Sequence, residues 1–77
     1  MMEMEKYRNL NGNSGVTGYE IYDSGIRVEF SHDTIYNYTY ASAGKRVIER
    51  MKKLAAAGKG LSTYISRYVK EKFDKKL

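Results

Sequence analysis

The sequence predicts an α+β domain in which a three-stranded antiparallel β-meander is followed by two α-helices packed on one face of the sheet. Three observations predict it. Ile26-Arg27-Val28-Glu29-Phe30 alternates apolar and charged residues at every step, the period of a half-buried strand. Thr34-Ile35-Tyr36-Asn37-Tyr38-Thr39-Tyr40 sets three of the eight tyrosines on alternate positions, and Tyr, Ile and Thr all suit a pleated surface. Beyond residue 43 the apolar spacing changes to three and four, in two runs divided by Gly58-Lys59-Gly60. That is the spacing of a buried helical stripe.

Residues 1–15 are weakly patterned. Asn9, Asn11, Gly12, Asn13, Ser14 and Gly15 form a turn-and-loop cluster, so the segment is expected to be flexible or weakly ordered, with Tyr7 and Leu10 the side chains able to reach a core. The single domain is expected over residues 16–77. Val16 to Tyr22 reads as the first strand, with a bulge permitted at Gly18. Asp23-Ser24-Gly25 reads as a turn, with Gly25 free to take a positive φ. Ile26 to Phe30 is the second strand.

Ser31-His32-Asp33 leads into the third. An odd number of loop residues places Tyr36 and Tyr38 on the face of Val28 and Ile26; an even number turns them away. Asp33 tolerates the left-handed conformation that a three-residue loop requires, and an odd loop gathers the apolar side chains on one face. The expectation is therefore tyrosine rings directed at the helices.

Ser42 is the expected N-cap of a helix from about Ala43 to Ala57. Its stripe is Val47, Ile48, Met51, Leu54 and Ala55, and Gly58 ends it with a left-handed residue. The second helix is expected from about Ser62 to Phe73, with Leu61, Tyr64, Ile65, Tyr68, Val69 and Phe73 inward. Lys70, Lys72, Lys75 and Lys76 then gather near its C-terminus, where cations favour the dipole.

Composition limits the function classes. Seventy-seven residues with no cysteine and no proline make one small domain without disulfides or thiolate metal sites. No apolar run approaches the ~20 residues of a membrane span. The polar stretch Met1 to Asn13 lacks the apolar core of a signal peptide, so a cytoplasmic location is expected. The net charge of +5 is divided unevenly. Residues 1–44 hold three Lys/Arg against six Asp/Glu, a net of −3, and residues 45–77 hold eleven against three, a net of +8. A basic helical half fits a polyanion such as RNA, and it equally fits a solvated surface that keeps a small protein soluble.

On the polyanion reading the candidate nucleic-acid contacts are Lys45, Arg46, Arg50, Lys53, Lys59, Arg67 and Lys70, which would hold phosphates without reading sequence. Tyr36, Tyr38 and Tyr40 would form a base-stacking platform only if they faced water; the loop parity favours a core role. A helix-turn-helix reading of residues 54–67 fails on register, because Ile65 stands five residues after Gly60 and seven after Gly58, not six. Gly58-Lys59-Gly60 lacks the full phosphate-loop pattern. Ser31-His32-Asp33 names a triad, but consecutive turn residues cannot converge as one. With one histidine and no cysteine, neither a metal site nor any cofactor is expected, and the chain reads as non-enzymatic. The competing class is protein–protein interaction, as an adaptor or a homodimer, through an open sheet edge or the sheet face that carries Arg27, Glu29, Ile35, Asn37 and Thr39. No membrane and no small-molecule substrate is expected.

From about Val16 to Phe73 the chain resembles the KTSC domain family, small domains found at the C-terminus of some lysyl-tRNA synthetases and as stand-alone bacterial proteins. The resemblance lies in Ile26-Arg27-Val28-Glu29-Phe30, the Tyr36-Asn37-Tyr38 motif, Tyr40-Ala41-Ser42-Ala43-Gly44, Ala57-Gly58-Lys59-Gly60-Leu61 and Tyr64-Ile65, in that order and spacing. The chain departs from the family at His32-Asp33, where many members have Asp-Gly, and at Ser62, where Asn is frequent. The resemblance implies a domain without an established function, for which RNA binding has been suggested, and it implies no catalytic residues.

Overall fold

A computed structural model describes residues 4–10, 12 and 14–76. These residues form an α+β domain built on a five-stranded antiparallel sheet. The strands are β1 (Glu5–Lys6), β2 (Val16–Tyr22), β3 (Gly25–Phe30), β4 (Thr34–Thr39) and β5 (Lys75–Lys76), and they lie in chain order across the sheet. Between β4 and β5 come a one-turn helix α1 (Tyr40–Ala43), the long helix α2 (Lys45–Ala57) and α3 (Leu61–Tyr64), which widens into a π-helix over Ile65–Val69. The three expected strands form the centre, and a two-residue strand is added at each edge.

The loop parity is as expected. Val28 pairs with Tyr36 and Ile26 with Tyr38, so both rings share the face of the apolar β3 residues. The left-handed residues of the loop are Ser31 and His32, not Asp33, whose N–H instead closes the turn on the Phe30 carbonyl at 3.2 Å. On the other side of β3, the register of β2 slips between Val16 and Gly18, the bulge that Gly18 permits. Gly25 does not take a positive φ. It is required for space, because a Cβ there would fall on the Tyr38 carbonyl oxygen and 2.7 Å from the Tyr22 hydroxyl.

The helix starts differ from expectation. Thr39 is the N-cap, its hydroxyl accepting the Ser42 N–H while the Ser42 hydroxyl accepts the Thr39 N–H, both at 3.0 Å. This reciprocal box satisfies two backbone donors, but it caps α1 alone. Gly44, at φ 92° and ψ 146°, breaks the helical path before α2 begins. Gly58 ends α2 in the left-handed conformation, as expected.

The second helical segment stops at Val69, where Lys70 takes φ 51° and ψ −119°. The expected continuation to Phe73 does not form. The chain turns back instead, and Lys75 and Lys76 pair with Asn37 and Tyr36 of β4. Phe73 lies against the β4 rings, 4.6 Å from Tyr36 and 6.2 Å from Tyr38 between centroids. The lysines at 75 and 76 are therefore strand residues at a sheet edge, not a helix-terminal cluster.

One core joins sheet and helices: Val16, Ile26, Val28 and Tyr38 against Ile48, Met51, Ala55, Leu61, Ile65 and Val69. Tyr7 belongs to it. Its ring is buried and its hydroxyl accepts the buried Leu61 N–H at 3.2 Å. Within the segment 1–15, Glu5 and Lys6 pair with Tyr19 and Gly18, and Arg8 and the Leu10 N–H bond to the Ala56 and Gly58 carbonyls at the end of α2. The domain thus reaches back beyond residue 16. Leu10 itself stays exposed. Residues 1–3, 11 and 13 of that segment, and residue 77, lie outside the described residues.

Candidate nucleic-acid interface

Helix α2 separates its residues by the 3.6-residue period. Ile48, Met51 and Ala55 are buried. Arg46, Arg50 and Lys53, at i, i+4 and i+7, stand on the opposite side and are exposed. At 1.5 Å per residue they span roughly 10 Å of helix. Lys45 flanks them and is exposed. None of these four is in an ion pair among the described residues.

Lys52 differs. It is held by Glu49 at 3.1 Å, by the Asp23 carbonyl at 3.2 Å and by the Tyr40 hydroxyl at 3.4 Å, with its ammonium 5.2 Å above the Tyr40 ring. The Tyr40 hydroxyl donates to Glu49 Oε2 at 2.5 Å. That bond raises the Tyr40 pKa and lowers that of Glu49, with the Lys52 hydrogen bond lowering Glu49 further. The Lys52 pKa is raised: desolvation opposes the ammonium, but the bonds to Glu49 and Tyr40 outweigh it. Tyr40 has left the strand and ties α1 to α2.

The other expected contacts are exposed but spread out. Lys59, in the α2–α3 turn, lines a small polar cavity of about 120 Å³ with Tyr7, Asn9, Ser14, Ser62 and Thr63. Arg67 projects from the π-helix. Lys70 stands apart from the α2 cluster, on an open groove of about 430 Å³ between the β3–β4 hairpin and the segment after the π-helix. Phe30, Tyr36, Tyr38 and Phe73 line that groove, and Asp33 and Glu71 share it with Lys70.

The sequence pattern did not single out this groove. One half of it is Phe73, placed by a turn that no periodicity signals. Its only advance sign is the run of aromatic residues on alternate positions of β4. Tyr38 is buried, and desolvation, with the Tyr36 phenol beside it, pushes its pKa up to about 12. Tyr36 is half-buried, edge-on to Phe30 at 5.7 Å. Tyr38 offers no open ring face to solvent, whereas Tyr36 borders the open groove.

The sheet face away from the helices is a bonded network. Arg27 pairs with Glu20 at 2.7 Å and lies 4.6 Å above the Tyr22 ring. The Tyr22 hydroxyl donates to Asn37 at 2.5 Å, and Thr17 donates to Glu29 at 2.8 Å. β1 pairs with β2 at Gly18 and Tyr19, and the Tyr7 N–H bonds the Thr17 carbonyl at 3.1 Å, so the expected open edge of β2 is partly covered.

Among the described residues no group of three or more His, Asp or Glu side chains is placed to hold a metal ion, and no helix is long and apolar enough to cross a membrane. No family model matches the chain, and neither a curated protein nor a solved structure matches it.

Proposed function

We propose that this chain is a cytoplasmic, non-enzymatic module of the KTSC type that binds RNA weakly through the outward face of α2. The observation that carries the reading is the cationic row Arg46, Arg50 and Lys53, with Lys45 beside it, in no ion pair among the described residues and set opposite the buried stripe of the same helix. Lysine and arginine free of intramolecular partners can replace the counterions of a phosphate chain, whereas a cation already bound, such as Lys52, gains less. The −3/+8 division of charge supports the same surface.

The test follows backbone amides by NMR while isotope-labelled protein is titrated with mixed-sequence single-stranded RNA. Shifts centred on α2, and lost in a Lys45→Glu/Arg46→Glu/Arg50→Glu variant that keeps the parent's fold, are the expected result. Equal binding by that variant would place the site elsewhere.

A second reading, protein–protein interaction, draws on the aromatic groove. Phe30, Tyr36, Tyr38 and Phe73 line it, and aromatic residues are enriched in the contact cores of protein interfaces. Salt distinguishes the two, since a packed apolar contact keeps its affinity where phosphate contacts weaken.

A further inference from the structure

The structure exposes a tyrosine of the basic half of the chain, at a position the sequence assigned to the core. Tyr68 is 60% exposed. The second helical segment buries Leu61, Ile65 and Val69, a strict spacing of four, and this moves Tyr64 and Tyr68 to the flank. The Tyr68 ring is braced by half-buried Tyr64, with 5.2 Å between centroids and 42° between planes. Arg67, exposed, precedes it directly. Between Glu49 and Glu71 the chain carries Arg50, Lys52, Lys53, Lys59, Arg67 and Lys70 and no Asp or Glu.

We propose that Tyr68, braced by Tyr64, is a stacking platform for an unpaired base of single-stranded RNA, with Arg67 holding an adjacent phosphate. The inference rests on the RNA reading above and adds which form of RNA is distinguished. Phosphate contacts alone accept single and double strands alike, whereas a ring can stack only on a base that is free of its own stack. Because Tyr64 already restrains the ring, binding forfeits less side-chain freedom than it would for an isolated exposed tyrosine. Stacking needs only a π-face, so the platform tolerates any base.

The experiment measures affinity for a short single-stranded RNA, and for a duplex of equal length, with the parent, Tyr68→Ala, Tyr68→Phe and Arg46→Glu/Arg50→Glu. Circular dichroism confirms that each variant is folded. Tyr68→Ala is expected to lose about 5- to 150-fold in single-strand affinity, the range found for removing one stacked base. It should leave duplex affinity unchanged, and Tyr68→Phe should retain parental binding. If Tyr68→Ala binds the single strand as the parent does while Arg46→Glu/Arg50→Glu does not, the platform is overturned and the basic-face reading stands. If the parent binds neither RNA, both are overturned.

Discussion

Replacing Tyr38 tests the packing argument on which the placement of the helices depends. Its ring is 2% exposed and packs within the core formed by β3, α2 and the second helical segment. Truncating a fully buried large aromatic costs about 3–5 kcal/mol, because transfer energy is lost and the cavity collapses only in part. A 77-residue chain has a total stability of roughly 4–12 kcal/mol at ordinary per-residue values. Tyr38→Ala should therefore remove at least about a quarter of that stability and shift the urea midpoint strongly downward.

Tyr38→Phe separates the ring from its hydroxyl. Burial raises the phenol pKa from 10.0 to about 12. A raised folded pKa gives stability that is complete below pH 10 and lost as the pH climbs through 12. The two-unit difference sets an upper bound of about 2–3 kcal/mol, reduced by solvent screening. Urea titrations at pH 7, 10 and 11.5 should show the parent losing stability faster than Tyr38→Phe over the upper interval. A Tyr38→Ala cost below ~1 kcal/mol, or parallel alkaline losses in parent and Tyr38→Phe, would refute the burial of this ring.

Four further substitutions probe other parts of the account. Gly25→Ala should destabilise by at least ~1–3 kcal/mol, since the new Cβ meets backbone. Gly15→Ala, with open space around the position, should stay within ~1 kcal/mol of the parent by thermal melting. Tyr7→Phe should cost about 1–3 kcal/mol in urea, because it orphans the buried Leu61 N–H; a neutral result would detach the N-terminal segment from the core. The depressed Glu49 pKa gives stability that is present above the ordinary carboxylate pKa and lost as the pH falls through the folded value. Tyr40→Phe removes its main cause, so the stability difference between parent and variant should shrink from pH 7 to pH 3 in denaturant titrations.

The central strands were legible because alternation and loop parity are local rules. Ile26, Val28, Tyr36 and Tyr38 share one face for the reason the sequence implied. The edge strands were not legible, because two residues such as Glu5–Lys6 or Lys75–Lys76 have no period to read, and Lys75 and Lys76 also fit a helix C-terminus. Gly44 could be read as a tolerated helical glycine, and only its backbone angles reveal the break.

On the helices, the candidate cations were legible as exposed residues because α2 is regular. The π-helix was not. A wider turn shifts the buried positions to steps of four, so Tyr68 moved outward, and the chain reversal at Lys70 carried Phe73 to the sheet. Lys70 thereby fell beside Asp33 and Glu71, away from the row on α2.

The central claim, that the α2 face binds a phosphate chain, is tested most directly by the salt dependence of RNA affinity. Three phosphates held by Arg46, Arg50 and Lys53 predict a log–log slope near −2, at about −0.7 per single-strand phosphate. Between 50 and 200 mM salt the affinity of the parent should fall roughly 20-fold, and Arg46→Glu/Arg50→Glu should flatten the slope. An affinity that does not change over that range, or no binding at 50 mM, would contradict the claim.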